Sequence, residues 1–446
     1  MPSFKSPPPI AALLAALFLT LAGTAAAPQA TAPEPLAGVT HLTGAETDYD
    51  HLIGDMGGAR FVLLGEATHG TREFYEERAR ITLRLAREGR LGAVVLEADW
   101  ADAERLDRYV RGEPGDATAE QALTVFGKFP RWMWRNAEFA AFLEQLRAHN
   151  LAQPPERRVG VYGMDLYGLF KSADAVVATL SATDPAAAER MRRHYRCFAR
   201  HRPNPEAYEA AVRRPGGSCQ RAAEAALAEI RARPVPADPA AREAWLSLQR
   251  NAAVVAGAEQ YHRAQSIGVL PWNVRDRHMT DTVAALAEHI GGGTDPAPKL
   301  AIWAHNSHVG DARATEMKWR GELNIGQLMR ERFGGHAYLV GFQTHGGTVI
   351  AASEWGQPGR LRTVSPARPE SDAAFLRGLG LRRTLLLIRK AGAGGPLHQP
   401  RAQRAIGVIY HPEGELQSHY LQARLSDQFD ALIYLDTTSA VRPLAR

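Results

Sequence analysis

The chain has 446 residues, 45% apolar and 23% charged, and a formal net charge of +5. That length and balance suit one large buried core or two smaller ones, and they exclude a globally disordered chain. The positive surplus does not describe a nucleic-acid surface, because the basic residues are nearly all arginine, are interleaved with acids and come with no nucleic-acid motif.

At the start, Lys5 precedes an apolar run from Ile10 to Leu21 and small residues from Ala22 to Ala27, the layout of a secretory signal peptide. The run is short for a membrane span of about 20 residues, and no later segment is long enough. Residues 1–27 are therefore expected to be a leader, which places the mature chain in the periplasm or outside the cell without stable membrane insertion. Residues 28–40, rich in Pro and Ala as far as Pro35, are expected to form a flexible lead.

From Gly54 to Asp165, strand-like and helix-like runs alternate, as in βαβ units around a parallel sheet. Phe61 to Gly65 ends at Glu66, with His69 three residues on; Ala93 to Leu96 ends at Glu97; Val159 to Met164 ends at Asp165. Segment 172–267 changes to Ala-, Glu- and Arg-rich helical stretches interrupted by prolines, which predicts a mainly helical insertion bordering the cleft. Within it, Cys197 and Cys219 are either a structural disulfide or two inert thiols. Strand-like runs resume at Leu300 to Ala304, followed by His305 and His308, then at Ala337 to Phe342, Thr384 to Ile388, Ala405 to Tyr410 and Ala431 to Leu435. The fold class is α/β, a mostly parallel central sheet flanked by helices and assembled from both ends of the chain. In such a sheet the carboxyl ends of the strands face the ligand crevice, so the ionisable residues ending four of them should converge.

Around Glu66 and His69, Gly65 and Gly70 let the backbone bend. The helix that follows has an apolar stripe of Phe74, Ile81 and Leu85, and Arg78 falls on it. A cation there needs a partner, for which Glu66 and Glu97 are the candidates, unless it snorkels to the surface.

The missing motifs narrow the chemistry. No G-x-S-x-G elbow is present, Ser307 is not on a strand-to-helix glycine turn, neither cysteine has a nucleophile's setting, and there is no H-E-x-x-H, P-loop or G-x-G-x-x-G. Acid, base and water remain: a histidine oriented by a carboxylate takes a proton from water, and Arg78 or a second histidine meets the oxyanion. Glu66 with His69 and His305 with His308 also give two pairs at spacing three that suit zinc, iron or manganese. Arg78 beside them argues for a metal-free anionic site, so no cofactor is expected. A metal-dependent hydrolase, or a non-catalytic protein binding a metal, haem or small ligand, is the alternative.

Several blocks in order resemble the erythromycin esterase family: Gly65 to Gly70, Leu96-Glu97, Trp132 to Asn136, Trp272 to Arg277, Trp303 to His308 and the tail from Ser418 to Leu444. The resemblance runs from about Leu52 to Leu444. It implies an α/β hydrolase of carboxylic esters proposed to open macrolide lactones without metal, and makes residues 41–446 the catalytic domain. Its general base falls on His69, with Glu66, Arg78, Glu97, His305 and His308 at the other positions of the family's pattern. We expect His69, Glu66, Glu97 and His305 to be catalytic, and Arg78, His308, Trp132 and Trp134 to bind a small-molecule ester or lactone. The tryptophans would do so as part of an apolar wall with Trp100 and Phe126. Asp165, a pocket residue or a helix cap, is left outside the catalytic set.

Overall fold

Alternation with a period of two runs through the strands and sorts their side chains to two faces. In the computed structural model, residues 36–267, 270–291, 294, 296–391 and 395–445 are described. The expected leader, 1–27, and residues 28–35 lie outside them. The strands are β1 (Val39–His41), β2 (Phe61–Leu64), β3 (Leu91–Asp99), β4 (Gly160–Asp165), β5 (Lys299–Trp303), β6 (Ala337–Ala351), β7 (Arg360–Val364), β8 (Arg383–Leu387), β9 (Arg401–Arg404), β10 (Tyr420–Ala423) and β11 (Ala431–Thr438). Nine form one sheet in the order β1-β8-β11-β6-β2-β5-β3-β4, with β7 on the far part of β6; β9 and β10 pair separately. From β11 to β4 the pairings are parallel, whereas β1, β8 and β7 join antiparallel.

On one face Val62, Leu64, Val94, Leu96, Ala301 and Trp303 pack with Phe74, Ile81 and Leu85 of the helix Arg72–Arg87. On the other, Phe61, Leu63, Val95 and Ile302 pack with Met279, Val283, Ile325 and Met329, from the helices Pro271–Gly291 and Ile325–Phe333. The connection from β2 to β3 thus covers one face, and that from β5 to β6 the other. Since β2 and β5 are neighbours, their connections part at their carboxyl ends, and a crevice opens there.

Between β4 and β5 the chain forms the helices Leu169–Thr183, Pro185–Ala199, Pro205–Val212, Gln220–Arg231 and Pro239–Ile267. Leu180, Met191, Phe198, Tyr208, Ile230 and Val255 give them a core of their own. Cys197 and Cys219 are disulfide-bonded, with Cα atoms 5.8 Å apart. No helix among the described residues is long and apolar enough to cross a membrane.

Three expectations need correction. The flexible lead does not extend to residue 40, because Val39–His41 pairs antiparallel with β8. Ala405 to Tyr410 is not a strand: it makes isolated bridges, Ile406 to Thr68 and Ile409 to Ala352, and spends its backbone bonds pinning loops. Strand β6 continues well past Phe342, and β7 pairs with the extension, because the mixed Gln343 to Gly347 stretch hides the alternation.

Candidate active site

The loop after β2 is held from three directions. A Cβ on Gly65 would lie 2.1 Å from Asn306 Oδ1, so only glycine admits that side chain. Asn306 donates from Nδ2 to the Phe342 carbonyl (2.6 Å) and from its backbone to the Glu66 carbonyl (2.8 Å), tying the ends of β2 and β5 to the middle of β6. At Gly70 a Cβ would stand 2.0 Å from the Ile350 carbonyl, where β6 crosses and its Ile350 N–H donates to Gly70 (3.2 Å). Ile406 bonds Ala67 (2.8 Å) and His69 (3.3 Å) through the backbone.

Within this frame Glu66 Oε1 is 2.8 Å from His69 Nδ1, and Glu66 Oε2 accepts from Arg78 Nη2 at 2.7 Å. A carboxylate on Nδ1 fixes the ring's orientation and leaves Nε2 as the working nitrogen; no hydrogen bond to Nε2 occurs among the described residues. The Arg78 guanidinium lies between the Tyr75 and Trp303 rings, 4.6 and 4.8 Å from their centroids. Its side chain is wholly buried, so Arg78 sits behind Glu66 rather than on a substrate surface, and its charge reaches the crevice only through that carboxylate.

From β3, Glu97 Oε2 accepts the His305 backbone N–H (2.9 Å), and Oε1 accepts from Arg275 Nη2 (2.8 Å) with His308 Nε2 at 3.3 Å. Burial would raise this carboxyl, but the positive charges of His308 and Arg275 hold it well below the usual carboxylate range. Arg275 also forks onto Asp165, with Nε at 2.9 Å and Nη2 at 2.6 Å, and its Nη1 is 3.0 Å from His308 Nε2. On the far side of that ring, Nδ1 is 2.9 Å from Asp276, and Trp272 stacks on the ring at 4.3 Å. Burial works to lower the His308 imidazole, yet Asp276 and Glu97 outweigh it and push the ring up to about 9.

His305 is the opposite case. Its Nδ1 accepts from Ser307 N (3.2 Å) and meets Ser307 Oγ (2.8 Å), which puts the ring proton on Nε2. That Nε2 is buried and without a hydrogen-bond partner at bonding geometry, the Ala67 carbonyl being in its neighbourhood. Burial first, and His69 beside it, lower this imidazole to about 3, so at neutral pH it is an uncharged donor. The two rings stand 4.9 Å apart, tilted by 49°.

Trp132 and Trp134 do not line a wall. Both are 4% exposed. The Trp134 indole N–H donates to the Glu97 carbonyl (3.2 Å), while Trp132 covers Gly359, where a Cβ would be 2.5 Å from its ring. They buttress the site from the core.

Sequence reasoning assigned no part to Arg275 and Asp276, although both lie in a quoted block. The available signal was the one used for Arg78, charged residues beside the buried positions Val274 and Met279 of a helix. Asp99, two residues beyond Glu97, was also missed. Burial, reinforced by Asp165 and Asp102, pushes it up to about 8, and its Oδ1 is buried with no partner. Among the described residues no three His, Cys, Asp or Glu side chains are placed to hold a metal ion. A cavity of about 1250 Å³ opens elsewhere, by the amino ends of β3 and β4, against Asp107, Arg111, Tyr162 and Glu243; Glu66, His69, Glu97 and His305 do not border it.

The chain is similar in fold to three solved structures. A succinoglycan biosynthesis protein superposes with a TM-score of 0.75 at 19% identity, covering 91% of this chain and 96% of its own. A Bacillus cereus protein gives 0.75 at 20% identity, with 92% and 97% covered. The erythromycin esterase EreC, as a histidine mutant in its open conformation, gives 0.60 at 17% identity, with 88% and 94% covered. The family model for erythromycin esterase matches residues 91–438, most of the chain including β3 to β11, and on that match this chain belongs to the erythromycin esterase family of ester hydrolases.

Proposed function

We propose that this protein hydrolyses carboxylic esters, bulky lactones of the erythromycin type among them, by histidine-activated water without a covalent intermediate. The observation that carries the reading is the buried chain Arg78–Glu66–His69, which leaves Nε2 of His69 unbonded beside the uncharged His305. His69 takes a proton from water as the oxygen attacks the acyl carbon. The tetrahedral oxyanion is met by the Nε2–H of His305, while the protonated His308, whose ring nitrogens are committed to Asp276 and Glu97, adds its positive charge from behind. Collapse breaks the acyl–oxygen bond, and the proton held on His69 passes to the departing alkoxide, so water and ester become acid and alcohol. Glu66 orients the base and Glu97 holds His305 and His308 in place.

The partner is a small-molecule ester or lactone; no nucleic acid and no membrane takes part. Residues 1–27 direct export to the periplasm or beyond, a reading supported by the bond between Cys197 and Cys219, since oxidising compartments keep disulfides. The test is hydrolysis of aryl esters and macrolides by the His69→Ala variant, with an acyl-enzyme sought by mass spectrometry after denaturant quench of the parent protein. The reading requires a rate loss on the order of 10²–10⁴ and no adduct. Full activity in His69→Ala, or a trapped acyl-enzyme, overturns it.

A further inference from the structure

A second arginine lies on an apolar stripe, in the helix Pro239–Ile267. The stripe is Leu246, Arg250, Val254 and Gly257, at spacings of four, four and three. It faces the helix Pro271–Gly291: Leu246 and Val254 share a core cluster with Met279, Val283 and Leu286, and a Cβ on Gly257 would stand 2.7 Å from the His278 ring. Arg250 is 6% exposed in this seam.

Where Arg78 has Glu66, Arg250 has no ion pair and no hydrogen bond with any described residue, and its Nε is sealed from solvent. His278, from the facing helix and within the electrostatic reach of Arg250, likewise buries its Nε2 without a partner. The acids whose fields reach Arg250, Asp281 and Glu288, are both exposed, and Asp281 is engaged by Arg332 at 3.4 Å. The remaining neighbour, Arg231, is a second cation. Burial, then Arg231, lower Arg250 to about 10, which still leaves it charged at neutral pH.

The guanidinium is thus only partly solvated, through Nη1 and Nη2, and has no counter-charge in the seam, whereas a methionine would fill the same seam without desolvating a charge. A bound anion removes the deficit. We propose that Arg250 and His278 form a binding site for a small oxyanion, a carboxylate or phosphate group, between these two helices. The guanidinium supplies the planar fork such groups recognise, and the imidazole Nε2 of His278 supplies the third donor. His278 is also within the electrostatic reach of Asp165, whose carboxylate is engaged by Arg275 at 2.6 Å; the proposal does not rest on the ester-cleaving reading.

The test uses the full chain at constant ionic strength and pH 7, following thermal unfolding and titration calorimetry with inorganic phosphate, acetate and chloride. Phosphate or acetate should raise the unfolding temperature progressively while chloride does not, and whichever acts identifies the group bound. Arg250→Gln should lose roughly tenfold or more in anion affinity, as expected for charged hydrogen bonds. Arg250→Met keeps the packing stem and guards against a folding defect; it should equal or exceed the parent in chloride and lose that lead in the effective anion. Equal responses to all three salts, or an anion response retained in both variants, overturn the proposal. So does an anion response that emerges only in Glu288→Gln, which would make Glu288 the natural partner.

Discussion

Arg275 places Nη1 3.0 Å from Nε2 of His308. Through Nη2 the same guanidinium binds Glu97 at 2.8 Å and Asp165 at 2.6 Å, so the ends of β3 and β4 and the loop after β5 are clamped by one side chain from the helix Pro271–Gly291. Removing it as Arg275→Gln leaves two buried carboxylates facing each other. The expected loss is about 3–5 kcal/mol of stability, the scale for breaking a buried pair. Activity should fall with it, and Arg275→Lys, which keeps the charge but not the fork, should recover part of both. Denaturant midpoints and kcat of the two variants check this.

Glu66 and Arg78 allow stability and catalysis to be separated. Glu66→Gln should cripple hydrolysis by misorienting His69, and should also destabilise the fold because Arg78 becomes a buried unpaired cation. Adding Arg78→Met should restore much of the stability and none of the activity, a non-additive pair read from unfolding curves and turnover together.

The pH dependence of stability follows from two histidines with opposite shifts. Folded His308, at about 9, keeps a proton that the unfolded chain releases near the ordinary histidine value of about 6.5. Its contribution is complete below about 6.5 and is lost as pH rises through about 9. His305, at about 3, refuses a proton that the unfolded chain accepts, so stability also falls as pH drops below about 6.5. Urea midpoints from pH 4 to 10 should show both slopes, and His308→Gln should flatten the alkaline one.

Trp134 tests the corrected aromatic wall. Its N–H bonds the Glu97 carbonyl and its ring packs edge-on against Tyr75, so Trp134→Phe should lower kcat modestly through Glu97 and leave KM for bulky esters unchanged. A rise in KM that grows with substrate size would return Trp134 to the substrate surface.

Much of this was legible because it is local. Short apolar runs mark β2 to β5, which are buried on both faces, and a parallel sheet turns a residue at the carboxyl end of a strand into a residue at the crevice; hence Glu66, Glu97, Asp165 and His305 stand there. The need of Arg78 for an acid was also readable, because a guanidinium on a buried stripe demands one; that left Glu66 and Glu97 as candidates, and the structure pairs it with Glu66.

Other features required the fold. Arg275 meets Glu97 across 178 positions and Asp165 across 110, and nothing in the local pattern of its helix says which strand end it reaches. Ala405 to Tyr410 has a strand's composition, but its backbone bonds go to the loop at Ala67 to His69, to Ala352 and to His419 rather than to one neighbouring strand. Trp132 and Trp134 have the composition of a binding wall and the burial of a core. The order of residues by itself determined the class of sheet, the chemistry at four of its strand ends and the needs of one buried cation, because these depend on local apolar runs and short spacing. Only the tertiary structure decided which distant charges neutralise one another and whether His305 and His308 are neutral or protonated, because those depend on desolvation and on through-space distances that chain spacing does not encode.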